Sequence, residues 1–174
     1  MAKILHLAAA VLAVLTLAAA PLAAQMGPSL MGRTVTLKVL TYDDRNAPLY
    51  ESASHSAKVT DATEFGLRRE GVQNDIDVVP ILIDVEASRI EFDYSIAEPG
   101  ELAEAKFNGY VLDFGGDCNL FWGARVDRDF STFPMTENRI FFDKGTLYVD
   151  VSGMTFDRES RFAIDLDLSG CGTA

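Results

Sequence analysis

The sequence predicts an all-β domain: an antiparallel β-sandwich with Greek-key or jelly-roll wiring, built from roughly eight to ten short strands. Three observations predict it. Apolar and polar residues alternate with period 2 in run after run, as half-buried strands require. Clusters of Gly, Pro, Asn and Asp separate those runs about every 8–12 residues. No strand-helix-strand spacing occurs, so a parallel sheet is not indicated. A closed β-barrel is the alternative that the same pattern allows.

The chain of 174 residues is enough for one domain and short for two. Residues 1–24 read as a signal peptide. Lys3 is followed by an apolar run from Ile4 through Ala20, interrupted by His6 and Thr16, and then by small residues and Pro21. A basic start, an apolar centre and a small-residue exit are the order of a secretory signal, with cleavage expected after Ala24 and Ala20 as the alternative. The run is about 17 residues, at the short edge of a membrane-spanning helix, so removal is expected rather than a stable membrane anchor. No Cys lies near the exit, and a lipid-anchored form is not expected. Residues 25–32, with Gly27, Pro28 and Gly32, read as a flexible leader, and 33–174 as the single domain.

The strands follow in order. Arg33–Tyr42 places Val35, Leu37 and Val39 on one face and Thr34, Thr36 and Lys38 on the other. Asp43–Pro48 is a turn cluster, Leu49–Thr60 a polar edge strand, and Glu64–Leu67 a short strand. Arg68–Asn74 reads as a charged loop. Pro80 splits Asp75–Ile83 into an edge strand or two short pieces, because proline cannot donate to a ladder. Ile90, Phe92 and Tyr94 share one side of the next run, and Glu86–Ser88 before it reads as the tight connection of a hairpin. Ile96–Lys106 is the one stretch with helical content. Phe107–Phe114 returns to strand, Gly115–Asp117 to turn, and Cys118–Asp127 to strand. Arg139–Asp143 and Thr146–Val151 flank a hairpin turn at Asp143-Lys144-Gly145, with Gly145 expected at a positive φ. Arg161–Leu168 is the last strand, with Phe162, Ile164, Leu166 and Leu168 on one face.

Charge excludes some functions. The chain carries 26 Asp+Glu against 15 Lys+Arg, a net charge of −11, and loss of residues 1–24 removes one basic side chain and no acidic one. Nucleic acid is therefore not an expected partner, since phosphate binding needs surplus positive charge. The acidity reads as the solvated surface of an exported protein, periplasmic or extracellular. In that oxidising setting Cys118 and Cys171, the only two cysteines, are expected to form a disulfide rather than remain thiols.

No catalytic constellation is found, and no catalytic residue is named. His55 is the only histidine of the mature chain and sits in SASHSA, with no GxSxG motif and no second histidine for a zinc site. No glycine-rich phosphate loop occurs. Carboxylates are abundant enough for glycoside hydrolysis, but so many pairs exist that none stands out. No cofactor is required, although hard oxygen ligands leave calcium open; Asp75 and Asp77, and Asp127 and Asp129 beside Asp117, are the loops to inspect. Phe121 and Trp122 are adjacent and must point to opposite faces of a strand. Trp122 is the candidate ligand-binding residue, as a ring on which a sugar could stack, and core packing is the competing role.

Several segments resemble a loose group of bacterial exported β-domain proteins, many of which carry a PEP-CTERM sorting tail. They are TVTLKVL at Thr34–Leu40, EFG at Glu64–Gly66, SRIEFDYS at Ser88–Ser95, FNGYVLDF at Phe107–Phe114, the run Asn138–Phe156 and FAIDLDL at Phe162–Leu168. The resemblance implies a secreted sandwich without an assigned activity, and no functional residue carries over. The sequence departs from the group at CGTA, where no PEP motif, apolar span or basic tail stands. The expected function is a non-enzymatic binding or envelope-associated module, with polysaccharide or an envelope protein as partner and the oligomeric state open. A secreted carboxylate-dependent hydrolase and a calcium-stabilised structural domain are the alternatives.

Overall fold

The computed structural model describes residues 27–69, 72–73 and 76–171, so the expected signal peptide, and Asp75 among the calcium candidates, lie outside the described residues. The strands in chain order are β1 (Thr34–Tyr42), β2 (Tyr50–Glu51), β3 (His55–Lys58), β4 (Phe65–Gly66), β5 (Val72–Gln73), β6 (Ile76–Asp77), β7 (Leu82–Val85) and β8 (Arg89–Asp93). After these come β9 (Gly100–Glu101), β10 (Phe107–Asp113), β11 (Phe121–Val126), β12 (Ile140–Asp143), β13 (Thr146–Asp150), β14 (Thr155–Phe156) and β15 (Arg161–Leu168). A 3₁₀ turn, Glu137–Arg139, precedes β12, and no α-helix occurs among the described residues.

Two antiparallel sheets form the body. The first has the order β12-β13-β10-β1, with β2 and β3 both pairing the free side of β1; the second has the order β11-β15-β8-β7-β4. Neither sheet closes on itself, so the barrel alternative does not hold and the architecture is a sandwich. The alternation read in the sequence explains which face turns inward. Val35, Leu37 and Val39 of β1 meet Tyr110 and Leu112 of β10 and Leu147 and Val149 of β13 on the inner face of the first sheet. From the second sheet come Ile90 and Phe92, paired with Ile164 and Phe162. Rings join the layers: Phe92 stacks on Phe162 at 4.4 Å and lies 5.4 Å from Tyr110 across the interface. Such aromatic pairs contribute about 0.5–1.5 kcal/mol each beyond the area they bury.

Four local expectations change. Ile96–Lys106 contains no helix: its short helical stretch follows Pro99-Gly100, and Gly100–Glu101 pairs with Thr155–Phe156 while Leu102 N–H donates to Met154 O. So short a run cannot offset the cost of helix nucleation, and pairing prevails. The loop expected at Arg68–Asn74 contains β5, which pairs β6. In the β12–β13 turn the positive φ, 53°, falls on Lys144 and not on Gly145. Glycine is needed at 145 for a different reason, since a Cβ there would sit 2.2 Å from Gly115 O. Of the leader, Leu30 is fully buried and its N–H donates to Ala87 O at 2.8 Å, so residues 30–33 dock on the sandwich.

Candidate functional site

The inner face of the first sheet continues past the second sheet at one end. There β1 ends in Val39 and Thr41, β2 adds Tyr50, and β10 begins with Asn108 and Tyr110. The register pairs Thr41 with both Asn108 and Tyr50. No strand of the second sheet covers this end; among the described residues the cover comes from Val78–Pro80 and from the connection holding Ile96, Leu102 and Ala103, with Phe156 of β14. The result is a cavity of about 750 Å³. Val39, Tyr110 and Val151 make its buried floor, and Leu49, 64% exposed, stands at its mouth.

Polar groups at the cavity are few and mostly engaged. Thr41 Oγ1 donates to Asn108 Oδ1 at 2.8 Å, and Asn108 Nδ2 donates to Ala103 O at 2.8 Å, so this amide ties the cover to the sheet. Partial burial pushes the Tyr50 hydroxyl pKa up. At the rim Glu98 is held by Arg158, and Arg69 and Glu101 complete the lining. Tyr110 of the floor meets Tyr94, which lies outside the lining; both are buried and their hydroxyl oxygens lie 3.1 Å apart. Burial raises both phenol pKa values well above the ordinary range, and both hydroxyls are therefore neutral. Close backbone packing shapes the wall: a Cβ on Gly109 would lie 1.9 Å from Val149 O, so β10 and β13 meet here without a side chain between them.

A smaller cavity of about 390 Å³ lies elsewhere, lined by Asp61, Asp84 and Glu86 with Met31, Thr60 and Ala87. The carboxyl of Asp84 is raised by partial burial, and then by the nearby charges of Glu64, Glu86 and Glu91. Glu64 is itself committed to the backbone, accepting the N–H of Thr60 at 2.8 Å and of Val85 at 2.7 Å.

The residues singled out in the sequence do not converge on one place. Cys118 and Cys171 form the expected disulfide, with Cα atoms 6.2 Å apart. Arg33 reinforces it by donating to Cys171 O at 2.6 Å. Asp117 is solvent-exposed and 3.5 Å from the Lys144 ammonium. Asp127 is taken by Arg89 at 2.8 Å and accepts the N–H of Asp129 and Phe130, so its oxygens close a turn; Asp129 is exposed beside it. Hydrogen bonding to Arg89, then to the Phe130 N–H, holds the Asp127 pKa below its ordinary value. Asp77 lies on β6 beside Asp75, which is not described. Among the described residues no group of three or more His, Cys, Asp or Glu is placed to hold a metal ion.

The strand pleat turns adjacent side chains apart: Phe121 is buried against Phe114 and Phe142, while Trp122 is 73% exposed on an edge strand. His55 lies on the exposed edge strand β3.

The cavity was not foreseen from sequence. Its cover comes from segment 78–80, inside the run that Pro80 splits, and from 96–103, inside the stretch with helical content, and neither reading marks a cavity.

Fold and cavity together define an all-β sandwich with an apolar pocket at one end. Comparison with family models, with curated proteins and with solved structures finds no match to the chain. No helix among the described residues is long and apolar enough to cross a membrane.

Proposed function

We propose that this chain is an exported, non-enzymatic binding protein whose end cavity takes a small apolar molecule. The observation that carries the reading is the cavity itself: its volume lies within the range of about 300–1,000 Å³ typical of small-molecule sites, and its walls are mainly aliphatic and aromatic with few polar groups. An apolar occupant is favoured over polysaccharide because the buried floor offers a sugar few free hydrogen-bonding groups. The signal-like residues 1–24 and the disulfide support export.

The test is a fluorescence titration with N-phenyl-1-naphthylamine, a dye that brightens in apolar surroundings. The wild-type chain is expected to give a saturable rise. Leu102→Trp, which fills the cavity from the covering connection, should abolish it while the thermal transition is retained. No saturable rise in the wild type, or an unchanged rise in Leu102→Trp, sinks the reading. Export is checked by mass: protein recovered from the periplasm of a bacterial host should begin near Gln25, and a full-length mass would count against it.

A further inference from the structure

The buried tyrosine pair at the cavity floor has a hydrogen left over. A phenol hydroxyl has one proton to donate and lone pairs to accept with. When two hydroxyls bond to each other, as Tyr94 and Tyr110 do at 3.1 Å, one proton lies between the oxygens and the other needs a separate acceptor. Among the described residues neither hydroxyl has another hydrogen-bond partner. Tyr94 is fully buried and Tyr110 nearly so, and the leftover donor has no partner among the described residues, which is uncommon for a buried polar group. Its position explains it. Tyr110 is part of the cavity floor, while the Tyr94 ring lies outside the lining, 5.2 Å from Phe156 of the cover. Tyr110, 2% exposed, is the member of the pair that reaches the cavity.

We infer that the cavity selects an uncharged apolar molecule carrying one hydrogen-bond acceptor oxygen, a carbonyl or ether, which takes the spare proton of the Tyr94–Tyr110 pair. This rests on the apolar-cavity reading and adds the chemical class of the ligand. The charges at the mouth cancel: Arg158 balances Glu98, and Arg69 stands against Glu101, so no surplus positive charge there favours an anionic ligand. A carboxylate-bearing ligand would meet the repulsion of a chain with net charge −11. The donor stays protonated throughout the physiological range, so recognition does not depend on pH near neutrality.

Two probes of nearly the same shape test this: 2-acetylnaphthalene, which has a carbonyl, and 2-isopropenylnaphthalene, which has none. Each is titrated against wild type and against the double variant Tyr94→Phe/Tyr110→Phe. Removing both partners of a hydrogen bond while keeping both rings is close to neutral for folding, so the double variant should remain folded. The ratio of ketone affinity to hydrocarbon affinity is expected to fall about threefold to tenfold in the double variant, the range for one neutral hydrogen bond. Hydrocarbon affinity should stay the same. If both probes bind and the ratio is unchanged, the tyrosine pair does not read the ligand, and the cavity reading stands without it. If neither probe binds wild type, the cavity reading falls and this inference falls with it.

Discussion

Two aspartates show how little a carboxylate's sequence neighbours say about its behaviour. Asp127 and Asp84 both stand close to other acids in the chain, yet the fold drives their protonation in opposite directions. Asp127 meets Arg89, 38 positions away, and the guanidinium holds its pKa down. Partial burial alone would lower the Arg89 pKa, but its bonds to Glu91, Asp127 and Asp165 outweigh that and raise it. Asp84 has no such partner, and its pKa is raised by burial and by three acids. A carboxyl with a raised folded pKa costs stability once it is ionised; the cost is absent below its ordinary value, about 4, and present in full above its folded value. We expect Asp84→Asn to raise Tm by a few degrees at pH 7, with the gain gone by about pH 3. Thermal melts at the two pH values check this, and an unchanged Tm at pH 7 defeats it. None of this was legible from residue type. Acid pairs such as Asp127/Asp129 suggested calcium, and only the long-range approach of Arg89 shows that Asp127 already has a cation.

Elements differ in how well local pattern anticipates them. β15 spans Arg161–Leu168, the limits its period-2 pattern predicts, and β1 is foreseen almost as closely, because both alternate strictly and bury one whole face. Patterns fail where an element is held by a few distant contacts. The edge beside β1 reads as one polar strand over Leu49–Thr60, but it is two short strands with a break. The break is managed by one side chain. Ser52 N–H donates to Val39 O at 2.9 Å, and its Oγ then takes the place of a backbone carbonyl by accepting Val39 N–H at 2.9 Å. Both residues are buried, so Ser52→Ala would leave the Val39 N–H without a partner. The expected loss is about 1–3 kcal/mol, read as a lower urea midpoint with unchanged slope. An unchanged midpoint would show that the neighbouring backbone re-pairs without cost. The cavity's cover belongs to the same class as this edge: the two-residue pairing of β9 with β14, one N–H from Leu102 and the Asn108 amide are among the contacts that hold it, and no periodicity announces contacts so scattered.

At the scale of the whole molecule, the two ends of the sandwich are built differently. One end holds the cavity. At the other, the disulfide joins the segment before β11 to the segment after β15, across a sequence separation of 53 residues. Ser169 N–H donates to Leu120 O there, and Leu120 N–H to Lys144 O, so the staple sits on the β12–β13 turn. A loop of that length corresponds to about 4 kcal/mol in the chain-entropy account. Reduction should therefore lower the denaturant midpoint clearly, and dye binding at the distant cavity should persist as long as the chain stays folded. An unchanged midpoint after reduction would mean that the closed loop contributes nothing. The order of the second sheet has a consequence for how the chain is made. β15 lies between β11 and β8, so the last of the described strands in chain order is an interior one of its sheet. Until residues 161–168 emerge, β8 and β11 lack their shared partner and the core lacks Phe162, Ile164 and Leu166. A chain of this topology cannot complete its second sheet before β15 is made, and the cysteine that locks that sheet follows three residues after β15.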